Sequence, residues 1–476
     1  MNTITMKFGG TSVGSPEAIA TVVDILADEV ARGTRVIGVV SAMAGVTDSL
    51  IVSVKDAAEG NRWAYRSCSK KLRDRHGEVV NLLMKPGRNR EALLAELETL
   101  LDQHVQLCEA VNVLGEATPR IMDSVVAFGE RLSARVVAGV LRDRGVDSRA
   151  YDATEFIVTD ERYGGAVPQW QDTQARINAG LRPVVEGGVT PILTGFIGAT
   201  RDGHTTTLGR GGSDYSGAIF AAALDCDELV IWTDVDGVMT TDPRVDKRAR
   251  VLPYVSYTEV GELAFYGAKV LHPKTVQPIL TRGIPLRVKN TFNRHHPGTL
   301  IGPNSEPSTT VIKAVTSVSK VSLLTVAGQG MIGVPGIAGR TFLAAAQAGA
   351  NILMISQASS EQNFCFVVMD DRAQEARSAI EAELATEIAR QDVDRVEILH
   401  EVGIVTTVGA GMRGTPGVAG RVFTTIGEQG VNIIAIAQGA SECSISFVVD
   451  EQHLSKTVLA LHELALESAE ELNPTN

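Results

Sequence analysis

An internal repeat constrains this chain more than any other feature of its sequence. GMIGVPGIAGRTFLAAAQAGANILMISQASSEQNFCFVV begins at Gly330, and GMRGTPGVAGRVFTTIGEQGVNIIAIAQGASECSISFVV begins at Gly411. The two align without a gap at a constant offset of 81 residues: Gly336 with Gly417, Asn351 with Asn432, Gln357 with Gln438. A fixed period over this length marks duplication of one structural unit. Each copy reads as a strand, a Pro-Gly turn, an amphipathic helix closing near glycine, a strand, a turn and another strand. Two such small βαβ-containing modules must pair their sheets and helices to bury enough apolar surface. Duplication for structure alone and a pair of small-molecule sensors both fit this pattern.

The chain has 476 residues, which calls for two or three domains. Its 44% hydrophobic and 21% charged content suits a globular protein in water. The formal charge of -12 would repel a long nucleic-acid backbone, while leaving room for a local basic pocket that takes a small nucleotide. The one basic block, RWAYRSCSKKLRDRH (62–76), reads as a solvated helix face. Five cysteines are scattered without a CxxC pair, as in a reducing compartment and without a structural zinc pattern. The first residues lack a basic flank followed by a long apolar core, and no run of about 18 apolar residues occurs. A cytoplasmic enzyme with neither nucleic acid nor membrane as partner is the expectation.

The first fifty residues alternate between strand and helix. TITMKF (3–8) reads as a strand; after a glycine-rich turn, Ser15 and Pro16 open a helix with apolar residues at helical spacing. RVIGVVSAMAG follows as strand and turn. Residues 57 to about 140 are helical in pattern, AVPQWQDTQARINAGLRPVVEGG adds another helix, and TPILTGFIGAT, DELVIWTDVDG and IPLRVKN resume strand character. A mainly parallel sheet flanked by helices fits this alternation. That unit is expected to span 1–300. A polar, proline-containing connector covers 301–312, and the duplicated region 313–476, with repeats starting near 321 and 402.

Three glycine-rich stretches carry the chemistry. KFGGTSVG (7–14) offers Lys7, Gly9, Gly10, Thr11 and Ser12. Glycines let backbone N–H groups approach an anion, a helix start near Ser15 adds a positive end, and Lys7 can neutralise a transferring phosphoryl group. Read alone, the stretch fits either a phosphate cradle or a tight turn. TTTLGRGGSDYSG (205–217) presents Arg210 as a fork for a carboxylate, Gly211 and Gly212 for close approach, and Asp214 for an ammonium group or a nucleophile. WTDVDGVMTTDPR (232–244) follows an apolar strand and suits a nucleotide loop or a capped turn; its aspartate spacing does not match a calcium loop. Glu130 in FGERLSA and Lys269 in GAKVLHPKT carry little signal in isolation, and His272 has no nucleophile–base pattern around it.

Taken in order, these motifs resemble one family. KFGGTSV, SAMAGVTD (41–48), FGERLSA (128–134), TGFIG (194–198), TTTLGRGGSDYSG, WTDVDGV, TTDPR (240–244) and GAKVLHPKT (267–275) look like a monofunctional aspartate kinase of the amino-acid kinase superfamily. The duplicated tail resembles two ACT regulatory domains. The resemblance implies a three-layer α/β/α kinase domain plus two ferredoxin-like ACT domains, interleaved so that VIKAVTSV (311–318) completes the later module. It implies transfer of the ATP γ-phosphoryl group to the side-chain carboxylate of L-aspartate, with Mg2+ carried by ATP and no direct protein metal ligand. Lys7 would stabilise the phosphoryl group. Ser41 and Thr47 would line the aspartate side, Glu130 would hold the substrate ammonium group, Arg210 would pair with a carboxylate, and Asp214 would help bind the amino acid. Thr233, Asp234, Met239, Arg244 and Lys269 would contact or shape the nucleotide site. Met239 stands where some members carry a tyrosine, and it cannot make the phenolic hydrogen bond.

For the tail, the resemblance implies an amino-acid effector, threonine first and lysine second, with Gln357, Gln438, Asn351 and Asn432 as effector residues. It also implies a homodimer or homotetramer formed through the ACT sheets, and no fused homoserine dehydrogenase. Glutamate or N-acetylglutamate kinase is the nearest enzymatic alternative. A catalytically silent amino-acid-binding regulator is the alternative of another class.

Overall fold

The computed structural model describes residues 2–266, 271, 273–304, 311–357 and 362–466. They form two units: Met1–Val238 with Val270–Pro303, and Met239–Lys269 with Asn304–Asn476. Within the first unit, strands β1 (Thr3–Phe8), β2 (Arg35–Val40), β3 (Ser148–Tyr151), β4 (Thr190–Thr194), β5 (Glu228–Thr233), β6 (Leu286–Asn290) and β7 (Thr299–Gly302) lie in one sheet. Their order is β3-β4-β2-β1-β5-β6-β7, parallel throughout except for the antiparallel β6–β7 pair. This is the mainly parallel sheet expected from the alternation of elements.

Strand β1 lies between β2 and β5 and buries both of its faces. Met6 and Phe8 point into a core shared with α1 (Pro16–Ala31) and later helices, through Ile19, Val22, Leu26 and Val137. Alternation turns Thr5 and Lys7 to the opposite face, where Thr5 meets Cys226 and the Lys7 stem meets Gly217. The helix expected after Ser15 begins as predicted: Ser15 Oγ accepts from the Ala18 N–H, and Pro16 takes the first helical position. The helical region continues through α2 (Val46–Ala58), the long pair α3 (Arg62–Leu83) and α4 (Arg88–Leu114), and α5 (Phe128–Asp143). Helix α6 (Gly212–Ala223) follows the GRGG stretch. The chain runs outward from β1 in both directions across the sheet. Such a switch of strand order opens a crevice at the C-terminal strand ends, where Lys7 lies.

The second unit is built on a six-stranded antiparallel sheet. Its strands are β8 (Ala314–Ala327), β9 (Met354–Gln357), β10 (Asn363–Met369), β11 (Arg395–Val408), β12 (Ala435–Gln438) and β13 (Ser444–Asp450), in the order β9-β10-β8-β11-β13-β12. Helices α8 (Ile337–Gln347), α9 (Ala373–Glu383), α10 (Val418–Glu428) and α11 (Leu454–Leu466) cover it, with α7 (Tyr257–Phe265) preceding them in the chain. The duplication is visible in the backbone. Gly336 and Gly417 cap α8 and α10 at φ 91° and 84°, a left-handed conformation that favours glycine. Lys320 and Glu401 are another matched pair with positive φ, at the register shift between β8 and β11.

The two copies share their strands. Leu324 and Val326, late in β8, pack with Phe364, Phe366 and Ile380 of the first copy. Val315, early in β8, packs with Val405, Val422, Phe447 and Leu461 of the second. One 14-residue strand therefore serves both cores.

The sequence reading carries the first domain to residue 300, but the structure groups 239–269 with the second unit, for a polar reason. The Lys313 ammonium lies 3.1 Å from the Glu259 carboxylate, both buried. The same carboxylate accepts from Ser256 and, at 2.6 Å, from the Ala410 N–H. Buried His462 bridges the Thr240 hydroxyl and the Asp246 carboxylate at 2.8 Å each. Removing the cation of a buried pair strands the other charge. Lys313→Met should therefore cost about 3–5 kcal/mol. Arg377→Ala, which breaks an exposed pair with Glu381 on α9, should cost under about 0.5 kcal/mol. Urea denaturation of the two variants checks this, and equal losses would contradict it.

Candidate active site

The site grows from the C-terminal end of β1. Lys7 is only 7% exposed, and its Nζ lies 2.5 Å from Asp214 Oδ1 in the first turn of α6. A Cβ on Gly217 would sit 3.2 Å from the Lys7 Cβ. The missing side chain lets α6 lie against the lysine stem and deliver Asp214 to its tip. A carboxylate in the first helical turn also complements the positive helix end.

Backbone contacts then bring the KFGG turn against the turn after β2. The Gly9 N–H donates to the Trp232 carbonyl at 3.0 Å, the Ser41 N–H to that of Phe8 at 3.1 Å, and the Ala44 N–H to that of Gly10 at 3.0 Å. A Cβ on Gly10 would lie 3.0 Å from the Ala42 carbonyl oxygen, tighter than a side chain tolerates without movement. Thr11 is exposed at the turn. Ser12 differs from expectation: its hydroxyl is fully buried, paired with Thr291 Oγ1 at 2.7 Å and donating to the Trp232 carbonyl. Its side chain ties the turn to the sheet and does not face outward toward a phosphate.

Glu130 is the least expected member of the site, because its motif alone gave little reason to single it out. It lies at the start of α5, 3% exposed, and Oε1 accepts from the Ala42 N–H at 3.2 Å. Oε2 is buried without a hydrogen-bond partner among the described residues. Burial pushes its pKa up from 4.5 to about 8, against the opposing pull of the Ala42 N–H and the Lys7 charge. Gly129 makes the approach possible, since a Cβ there would fall 2.7 Å from the Ala42 Cβ. A buried carboxylate oxygen with no donor is a ready receptor for an ammonium group.

Arg210 is exposed on the turn before α6, between Gly209 and Gly211, which have φ 74° and 71°. Gly212 is closely enclosed: a Cβ there would meet Phe196 at 2.8 Å. Ser41 and Thr47 are half-buried, just after β2 and in the first turn of α2. Thr233 ends β5 and donates to Asp234, which is exposed; the neighbouring Asp236 accepts from the Asn290 and Asn293 amides. Met239 and Arg244 belong to the second unit, where the Arg244 guanidinium is engaged by Asp242. Lys269 and His272 lie outside the described residues. The proposed effector residues Asn351, Asn432, Gln357 and Gln438 are all exposed at matched places in the two copies.

The sequence reading missed Arg75. It belongs to the basic block taken as a solvated face, yet it donates to the Ala44 carbonyl at 2.9 Å and the Gly14 carbonyl at 2.8 Å. It thus ties together the turns after β1 and β2. Its only signal was an arginine in a helix, which does not separate it from its exposed neighbours.

Residues 2–290 match the amino acid kinase family, and 324–384 and 405–464 match an ACT domain. A bifunctional aspartokinase/homoserine dehydrogenase from Zea mays is 34% identical over 96% of this chain and 50% of its own length. The chain thus spans about half the length of that relative. Aspartokinase 1 from Arabidopsis thaliana is 32% identical over 98% of this chain and 81% of its own. Aspartokinase III from E. coli, in complex with aspartate and ADP, superposes with a TM-score of 0.82 at 29% identity, covering 98% of this chain and 100% of that one. The same E. coli protein with lysine and aspartate superposes at 0.77. With the glycine turns, the Lys7–Asp214 pair and the duplicated tail all in place, the chain belongs to the aspartokinase family, an amino acid kinase domain joined to ACT domains.

Proposed function

We propose that this chain transfers the γ-phosphoryl group of ATP to the side-chain carboxylate of L-aspartate, giving ADP and 4-phospho-L-aspartate, the first step of aspartate-family amino-acid synthesis. The observation that carries this reading is Lys7, held by Asp214 beside Gly9 and Gly10 while Glu130 keeps a buried oxygen unpaired. The E. coli relative's complex with aspartate and ADP supports the same substrates. The attacking carboxylate is ionised near neutral pH, so no strong general base is needed. The task is to align two anions and offset the charge on the transferred group.

In this reading the Gly10–Thr11 backbone and the start of α6 at Gly211 receive phosphate oxygens, while Gly9 and Gly212, whose N–H groups are held by the Trp232 and Gly209 carbonyls, shape the two turns. Lys7 offsets the negative charge of the transferring group, and Asp214 keeps the ammonium aimed there. Glu130 takes the substrate ammonium group, and Arg210 pairs with a substrate carboxylate. Ser41 and Thr47 flank the amino acid, and Thr233 and Asp234 border the nucleotide, with Met239, Arg244 and Lys269 contributing to it. Magnesium enters as part of the Mg·ATP substrate, since Asp214 is already engaged by Lys7.

The tail is read as an effector sensor for threonine, with lysine the second choice; lysine is the ligand named for the E. coli relative. Gln357 and Gln438 would meet the effector, with Asn351 and Asn432 beside them. Pairing of ACT sheets would make a homodimer or homotetramer, and Ile355 and Ile436, exposed on the two outermost strands, favour it. A cytoplasmic location fits small soluble substrates.

Three measurements test the reading. Lys7→Ala should lower kcat by at least about 100-fold with the fold retained, the scale set by losing one preorganised charge at the reacting group. Unchanged aspartate-dependent ADP release would remove Lys7 from catalysis.

Glu130 must be ionised to hold an ammonium group. With a pKa of about 8 in the free chain, kcat/KM for L-aspartate should rise with pH toward 8, and Glu130→Gln should flatten that limb. The stability sign follows from the same shift. The folded-state pKa lies above 4.5, so the folded chain binds the extra proton and loses stability as pH climbs from 4.5 to 8. Glu130→Gln should therefore gain on the parent in thermal midpoint as pH rises across this window; a constant difference would count against the shift.

Calorimetric titration with threonine and with lysine, paired with activity, checks the effector. Heat and inhibition with threonine support the first choice, and a response to lysine alone moves the assignment to it. Silence with both would end the sensor reading.

A further inference from the structure

One buried carboxylate near the site is left without a role by the reading above. Asp123 lies on the short helix Pro119–Val126, just ahead of the helix that carries Glu130, and is 2% exposed. Its Oδ1 accepts from Thr207 Oγ1 at 2.9 Å, and its Oδ2 from the Thr207 N–H at 2.9 Å. Both oxygens take the Gly164 N–H, at 2.9 and 3.1 Å. The Gly164 and Thr207 N–H groups can only donate, so both oxygens of Asp123 act as acceptors. Two distant stretches of chain are thereby fixed to one point: the loop around Gly164 and the strand end at Thr207.

Those stretches hold the Arg210 turn. The Ala166 N–H donates to the Thr207 carbonyl at 2.8 Å, closing the two stretches onto each other. Gly209, at φ 74°, fits beneath Gly164, whose carbonyl oxygen would be 3.3 Å from a Cβ added there. The Gly212 N–H then returns to the Gly209 carbonyl at 2.9 Å, starting the helix that bears Asp214. Arg210 itself is exposed. The backbone on either side of it fixes the point from which its side chain leaves the turn.

We propose that Asp123 is a positioning residue for L-aspartate: by pinning Gly164 and Thr207 it sets the turn from which Arg210 reaches the substrate carboxylate. This rests on the substrate reading of the site given above. Asp123→Asn replaces an acceptor oxygen with an N–H2 group facing donors, with almost no change of shape. It should raise KM for L-aspartate roughly 10- to 100-fold, the scale of one or two buried donors left unpaired, while KM for ATP, whose phosphates meet only the far end of the same turn, rises by a clearly smaller factor. Thr207→Val deletes only the hydroxyl donor and should shift KM for L-aspartate in the same direction by a smaller factor.

A merely structural role would lower the folded fraction and kcat without this split between the two substrates. Equal shifts for both substrates, or no shift in either variant, overturn the proposal. If Asp123→Asn does not fold, Thr207→Val decides alone, and an unchanged KM for L-aspartate overturns it. Parent-chain ADP formation with L-aspartate is measured first, with calorimetric binding of L-aspartate beside it. Failure there removes the substrate reading, whereas a competent parent with unselective variants removes only the role of Asp123.

Discussion

The close approach of helix α6 to strand β1 is the contact on which the rest of the site depends. It exists because residue 217 is glycine and the Lys7 stem fills the space a side chain would take. The helix then runs along the lysine and presents Asp214 at its tip, pairing at 2.5 Å. Lys7 and Asp214 thus form an ion pair on a face of the strand that is otherwise packed. Thr5, two residues earlier on the same face, meets Cys226 in the ordinary manner of a core position.

The same device recurs around the site. Gly10 lets one turn approach the Ala42 carbonyl, and Gly129 lets α5 approach the Ala42 side chain. Gly212 leaves room for Phe196. Each glycine replaces side-chain volume with backbone proximity, and the result is that the turns after β1 and β2 and the starts of α5 and α6 close around the buried side chains of Lys7 and Glu130. Groups held in this way are fixed before a substrate arrives, which is the condition for electrostatic preorganisation. Glu130 shows what this arrangement costs in charge: burial holds its pKa near 8, against the opposing pull of the Ala42 N–H, its own backbone N–H and Lys7.

The second unit solves a different problem. Two small modules, each short of core, are joined by strands of 14 residues that contribute one half to each. Val315 and Leu324 lie on one strand yet belong to different cores. Buried polar ties at Glu259 and His462 then recruit 239–269 into this unit. Hydrophobic pattern alone would not have placed that segment, because its polar ties, like the packing of Val245 and Tyr266, are to residues far along the chain.

Local chemistry in the sequence was sufficient for much of this. Strand β1, the Ser15–Pro16 helix start, the mainly parallel order and the duplicated modules follow from periodicity, capping and repetition, which act over a few residues. The glycine turns were legible as places of close backbone approach. The sequence could not show that Ser12 turns inward to Thr291, that Arg75 leaves its basic block to hold two turns, or that Asp123 is a buried acceptor. Nor could it assign 239–269 to the second unit. Each of these depends on which distant donor or acceptor a side chain finds after the sheet closes. That pairing is a property of three-dimensional proximity, and no spacing along the chain encodes it.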